Sequence, residues 1–218
     1  TPEIYTLSLH DALPICRAGL KLGHAVSGVL GDKLVKRISG GAWRNNMPPA
    51  AKPPTPRSGK GDPVVYFPTC GARIFGPADR ADQQLGGVVQ ELLIRAGYAP
   101  ILPQGFDKLC CGQMLASKGM QEEAEDMSNT LEAALMKASD NGRIPVIMDA
   151  SACSTRMQKH LAGRLKLYDF HEFAHDALLP RLMITPPAGP VALSVTCSVQ
   201  RPGPDHKLPA SLPGAVAG

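Results

Sequence analysis

From about residue 63 onward, short apolar runs alternate with longer amphipathic stretches. Pro63-Val64-Val65-Tyr66-Phe67 reads as a strand, and Leu85, Val88, Val89, Leu92, Leu93 and Ala96 then fall on one helical face, closed by Gly97 where a C′ glycine belongs. Tyr98 to Leu102 is a second strand. A helix is predicted over about 114–138, with Met120, Ala124, Met127, Leu131, Ala134, Leu135 and Ala138 on one face and Asp140-Asn141-Gly142 as its end. Pro145 to Met148 is a third strand, a short helix follows, and Leu165 to Tyr168 is a last strand before a helix from Phe170 to about Leu179. Strand and helix alternating in this way predict an α/β domain, a parallel sheet with right-handed crossovers, over residues 63–187.

The flanks follow other patterns. In residues 17–38, Leu20, Ala25, Val29, Leu34 and Ile38 are roughly periodic, which predicts a helix weakened by four glycines. Proline clusters at Met47-Pro48-Pro49 and Pro53-Pro54-Thr55-Pro56 make residues 40–62 a linker that neither joins a sheet nor continues a helix, with Trp43 as a packing anchor ahead of it. Residues 1–16 show no period and resemble translated sequencing-adapter text; they are expected to be non-native or disordered, and Cys16 receives no role. At the other end, Pro190-Val191-Ala192-Leu193-Ser194-Val195-Thr196-Cys197 lines up with Pro63 to Cys70 at a constant offset of 127. That alignment reads as an internal duplication. Only 21 residues follow Cys197, so residues 188–218 are expected to be the truncated start of a second repeat with a disordered tail.

Composition narrows the function. The net charge of +4 is uneven: residues 1–62 carry +5 and residues 63–218 carry −1. The ten aromatic residues do not cluster with the basic ones, which argues against a nucleic-acid surface. No apolar run approaches the roughly 20 residues that cross a bilayer. Six cysteines in 218 residues are too few for a disulfide scaffold and fit a reducing compartment, with thiolates kept for metal or redox work.

The cysteines carry the chemistry. Cys110-Cys111-Gly112 is a vicinal pair, and adjacent cysteines bond poorly to each other because the ring that would close is strained. Between Cys70 and the pair lie 39 residues, and between the pair and Cys153 lie 41. An apolar run leads into each cysteine loop, so neighbouring parallel strands would gather all four sulfurs at the carboxyl edge of one sheet, where open α/β folds build their sites. Four thiolates select an iron–sulfur centre or zinc; the alternative is four inert buried cysteines.

The stretches Phe67-Pro68-Thr69-Cys70, Arg73-Ile74-Phe75-Gly76-Pro77, Cys110-Cys111-Gly112 and Asp149-Ala150-Ser151-Ala152-Cys153 resemble the cysteine-rich CCG domain. That domain occurs in FAD-dependent D-lactate dehydrogenases of the cytochrome-linked type, in glycolate oxidase iron–sulfur subunits and in the cysteine-rich subunits of heterodisulfide reductases, and the wording here is closest to the first. The resemblance implies that Cys70, Cys110, Cys111 and Cys153 ligate a cluster of the 4Fe-4S type, with Cys197 as the first ligand of the second repeat. It further implies FAD and ferredoxin-like domains elsewhere in the full-length protein, oxidation of D-lactate or a related 2-hydroxy acid, and a cytochrome or quinone as acceptor. The implied location is cytoplasmic or peripheral at the inner membrane, and the fragment alone is not expected to turn over substrate. One departure stands out: where heterodisulfide reductase ends its motif with C-x-x-C, this chain has Cys153-Ser154-Thr155-Arg156. Arg156 is therefore expected to hold an anionic group or to lower neighbouring thiol pKa values. A glycolate oxidase or heterodisulfide reductase type subunit and a zinc-stabilised, non-catalytic interaction domain remain as alternatives.

One further motif competes. His171-Glu172-Phe173-Ala174-His175 satisfies the zinc-protease pattern H-E-x-x-H. The same residues also fit a helix start in which Asp169 caps and Glu172 closes a capping box.

Overall fold

The computed structural model describes residues 9–44, 46–77 and 83–185. Two helices lead the chain, α1 (Leu9–Leu30) and α2 (Asp32–Ile38). The helix expected from Arg17 therefore starts inside the stretch expected to be irregular. It also breaks at Gly31, whose φ of 80° belongs to the left-handed region. Trp43 folds back onto α1: it is buried, its indole N–H donates to Asp32 Oδ1 at 3.3 Å, and its ring lies where a side chain on Gly23 would have to be. One of the glycines that weakens the helical pattern is thus the seat of the packing anchor.

The domain follows as β1 (Asp62–Phe67), α3 (Cys70–Ile74), α4 (Leu85–Arg95), β2 (Tyr98–Ile101), α5 (Gln113–Ala116), α6 (Gln121–Ala138), β3 (Val146–Met148), α7 (Ser151–Leu161), β4 (Leu167–Asp169) and α8 (Phe170–Phe173). The four strands form one all-parallel sheet in the order β2-β1-β3-β4, as the α/β expectation required. Val64, Tyr66 and Ile147 pack on one face with Val89 and Leu93 of α4 and with Phe173. Val65, Phe67, Val146 and Met148 pack on the other with Leu131 and Leu135 of α6 and with Met157 and Leu161 of α7. Covering both faces is why β1 and β3 read as unbroken apolar runs rather than alternating ones.

Several boundaries differ from expectation. The helix over 114–138 is two helices, and Met114 and Met120 are 59% and 42% exposed, whereas Met127 is buried and Met136 packs against the core. The last strand starts at Leu167, and Leu165 packs in the core without entering the ladder. On α4, Leu85 and Val88 face outward while Gln90, a polar residue, is 0% exposed. Its side-chain amide donates to Thr55 O at 3.2 Å and Gly86 O at 3.0 Å and accepts from Arg57 N at 2.9 Å. The proline-rich segment is extended and joins no sheet, as expected, yet Gln90 fastens it to α4, and an isolated antiparallel bridge pairs Ala50 with Phe75. Residue 190 onward, with Cys197 and the proposed second repeat, lies outside the described residues. Among the described residues no helix is long and apolar enough to cross a membrane.

Candidate functional site

The strand order places the site. From β1 the chain crosses to β2 on one side, then returns over the sheet to β3 on the other. The carboxyl ends of β1 and β3 therefore flank the point where the winding reverses, and such a point leaves a crevice between diverging loops. Cys70 opens α3 directly after β1, and Cys153 lies in the first turn of α7 after β3. Asp149, one residue past β3, ties the two loops together: its carboxylate accepts from Thr69 N at 2.9 Å and from the Tyr66 hydroxyl at 2.6 Å. Burial pushes the Asp149 carboxyl above its ordinary range, and burial together with that carboxylate pushes the Tyr66 phenol far up.

Cys110 and Cys111 arrive from the β2 side. A 3₁₀ turn at Phe106–Lys108 delivers them, and Gly112 ends the loop as the N-cap of α5 with φ of 76°. A Cβ on Gly112 would lie 2.3 Å from Ala124 O, so the turn tolerates only glycine. The Cys111 carbonyl is clamped by Ser128 Oγ at 3.0 Å and by Arg156 Nε at 2.7 Å.

The four thiols meet. These four are free cysteines, three buried and Cys70 partly so, and each thiol lies close enough to two others to shift their titration. Cys70 contacts Cys110 and Cys153, and Cys111 contacts Cys110 and Cys153, which closes a ring. Backbone N–H groups point at two of the sulfurs: Gly112 N donates to Cys110 Sγ at 3.4 Å, and Gln113 N to Cys111. Cys111 is the shared acceptor, and hydrogen bonds from Cys110, Cys153 and Gln113 bring its pKa down to about 4. The other three go up: Cys153 by giving its proton toward Cys111 and Cys70, Cys70 by its bond to Cys110, and Cys110 by its bond to Cys111, with burial adding to each. All donors are soft sulfur, suited to an iron–sulfur centre or another thiophilic metal. As they stand the thiols are joined to one another, and among the described residues no three His, Cys, Asp or Glu side chains are arranged around a single ion position.

Two arginines brace the ring. Arg73, 3% exposed, donates from Nε to Thr69 O at 3.3 Å, from one terminal nitrogen to Phe106 O at 2.6 Å and from the other to Leu109 O, with its guanidinium 5.4 Å from the centre of the Phe67 ring. Arg156 turns its Nε to the Cys111 carbonyl and to Ser128 Oγ, and the anionic group that it meets is a carboxylate of the chain itself. Its other end, 3.6 Å from Glu125, begins a ladder between α7 and α6 in which His160 bridges Glu125 and Glu132, both at 2.8 Å, and Arg164 reaches Glu132 at 2.6 Å. The ladder walls an open polar cavity of about 810 Å³ that Gln113, Ala152 and Thr155 also line, so it lies beside the cysteine loops.

The H-E-x-x-H stretch is a helix start. Asp169 and Glu172 form the capping box, His171 turns to Asp169 at 2.8 Å, and His175 turns to Asp176 at 2.7 Å in a π-helical turn. The two histidines thus serve different carboxylates.

Sequence reasoning singles out all four cysteines but not Tyr66, Asp149, Ser128 or the charge ladder. Signals for part of this surround exist, since Asp149 ends an apolar run and Arg73 precedes Ile-Phe. Fold and site together define an α/β protein with a four-thiol ring at the switch point of a parallel sheet. Compared with family models, curated proteins and solved structures, the chain matches none.

Proposed function

We propose that Cys70, Cys110, Cys111 and Cys153 hold an iron–sulfur cluster of the 4Fe-4S type. We further propose that the chain is the cysteine-rich part of a cytoplasmic or inner-membrane-associated FAD-dependent oxidoreductase that oxidises D-lactate or a related 2-hydroxy acid and passes electrons to a cytochrome or quinone. The observation that carries the first part is the closed ring of four thiols drawn from three separate loops. Inert core cysteines have no reason to converge at the sheet's switch point beneath backbone N–H donors. The substrate class rests on the resemblance of the cysteine loops to the CCG domain.

The chain's own residues do the preparing. Loading requires the thiol protons to leave, and the hydrogen-bond ring gives them an order, with Cys111 losing its proton first. Asp149 fixes the Cys70 and Cys153 loops at one spacing, while Gly112 N and Gln113 N donate to sulfur, an arrangement that favours the thiolate form. Burial of Cys110, Cys111 and Cys153 keeps water from the sulfurs. A cluster seated there would carry single electrons at a potential set by this charge and hydrogen bonding.

The test is anaerobic reconstitution of the full chain with iron and sulfide. Bound iron and acid-labile sulfide in comparable amounts, with a visible band bleached by dithionite, are expected; serine at Cys111 or Cys153 should abolish both. Zinc bound in place of iron, with no labile sulfide, would leave an interaction domain instead.

A further inference from the structure

Arg73 is the one buried cationic side chain among the described residues. Taking a guanidinium out of water is costly unless its charge is answered, and carbonyl dipoles answer its N–H groups without supplying an opposite charge. The carboxylates nearest in effect, Asp149 and Asp107, act on it only through space: neither forms an ion pair with it, and Asp149 spends its oxygens on Tyr66 and Thr69. Cys70 and Cys110, once ionised, act on it more strongly than either. The carbonyls it holds include those of Thr69 and Leu109, the residues immediately before Cys70 and Cys110, so one fork sets the entry of both ligand loops. Four thiolates around a divalent ion, or around a cluster core of the same charge, keep a net negative charge. A fixed cation beside two of the sulfurs is what such an assembly lacks.

We propose that Arg73 is the resident counter-charge of the four-cysteine site, positioning Cys70 and Cys110 and offsetting the negative charge that the thiolates retain once loaded. This rests on the metal-binding reading of the ring.

The test uses the full chain as wild type, Arg73→Gln and Arg73→Lys. Cadmium affinity is read from sulfur-to-metal charge-transfer absorption, and the midpoint potential is read after iron–sulfur reconstitution. Arg73→Gln should bind cadmium about tenfold to a hundredfold more weakly and, when reconstituted, have a more negative potential. Arg73→Lys, which keeps the charge and loses the fork, should keep the wild-type potential and bind cadmium with an affinity between those of wild type and Arg73→Gln. Melting of the metal-free proteins checks that the variants fold; if Arg73→Gln does not, the potential of Arg73→Lys decides, and a value more negative than wild type overturns the role of the charge. Unchanged affinity in folded Arg73→Gln, or Arg73→Lys as weak as Arg73→Gln, overturns the role of the charge. Wild type that binds cadmium but takes up no iron and sulfide sinks the cluster reading and leaves this test standing, whereas wild type that binds no cadmium overturns this inference together with the ring.

Discussion

Gly112 shows how narrowly one residue can set the site. It must turn the chain in the left-handed region and must also let the backbone pass against Ala124 O. Alanine there meets the left-handed penalty of about 1–2 kcal/mol and a clash with backbone that cannot rotate away. Gly112→Ala is therefore expected to lower stability by more than about 2 kcal/mol and to weaken metal uptake, measured by denaturant melts and cadmium titration; a fully stable, fully loading variant would contradict the geometry. A second single-residue effect is electrostatic. The hydrogen bond to Asp169 raises His171 above its ordinary value of 6.5. Burial acts to raise Asp169, but the hydrogen bonds from His171 outweigh it and leave the carboxyl below 3.8. His171 therefore contributes stability that is fully present below its unfolded value and is lost as pH rises through the higher folded one. Asp169 contributes above its unfolded value and loses that share as pH falls. The pair is worth most between the two, so the melting-temperature advantage of wild type over His171→Gln should shrink steadily from weakly acidic to alkaline buffer. A difference that stays flat would remove the coupling.

At the scale of elements, α4 is legible as a helix because its apolar spacing is regular, yet its most buried polar residue is not. Gln90 interrupts no pattern, and its partners Thr55 and Arg57 lie in a segment whose prolines announce only the absence of regular structure. Gln90→Ala would release the Arg57 N–H and the Thr55 carbonyl from part-buried hydrogen bonds; it is expected to cost about 0.5–1.5 kcal/mol and to expose the segment near Arg57 to proteolysis before the domain unfolds, visible as an early tryptic cut. The single helix expected over 114–138 divides for a related reason. Met120 falls on the apolar face in sequence, but Gly119, with φ of 84°, turns the chain just before it and leaves Met120 facing water. The H-E-x-x-H stretch goes the other way: the capping box is readable from Asp169 and Glu172 because capping depends on residues three apart, a local relation.

At the scale of the whole molecule, the alternation of strand and helix is enough for the all-parallel α/β architecture. Burial on both faces writes itself into the sequence as apolar runs, and parallel pairing needs the long crossovers between them. The meeting of the cysteines is also legible, since each follows an apolar run and strand ends cluster on one edge. What cannot be read is the matrix that holds them. Tyr66 with Asp149 and Arg156 with Cys111 join residues 83 and 45 apart in sequence, and nothing local marks such pairs. The same distance hides what Arg156 holds. Its place in a motif suggests chemistry, but no sequence pattern advertises its partners, the Cys111 carbonyl and the Glu125 carboxylate.

The sulfurs are spread over three successive crossovers, with the last following β3 in the chain. A chain still being synthesised, with Cys153 not yet emerged, offers an incomplete set of donors to any incoming ion. A metal held by all four sulfurs would therefore be taken up only once the three loops have come together, and its uptake would report that the crossovers are wound in the right order.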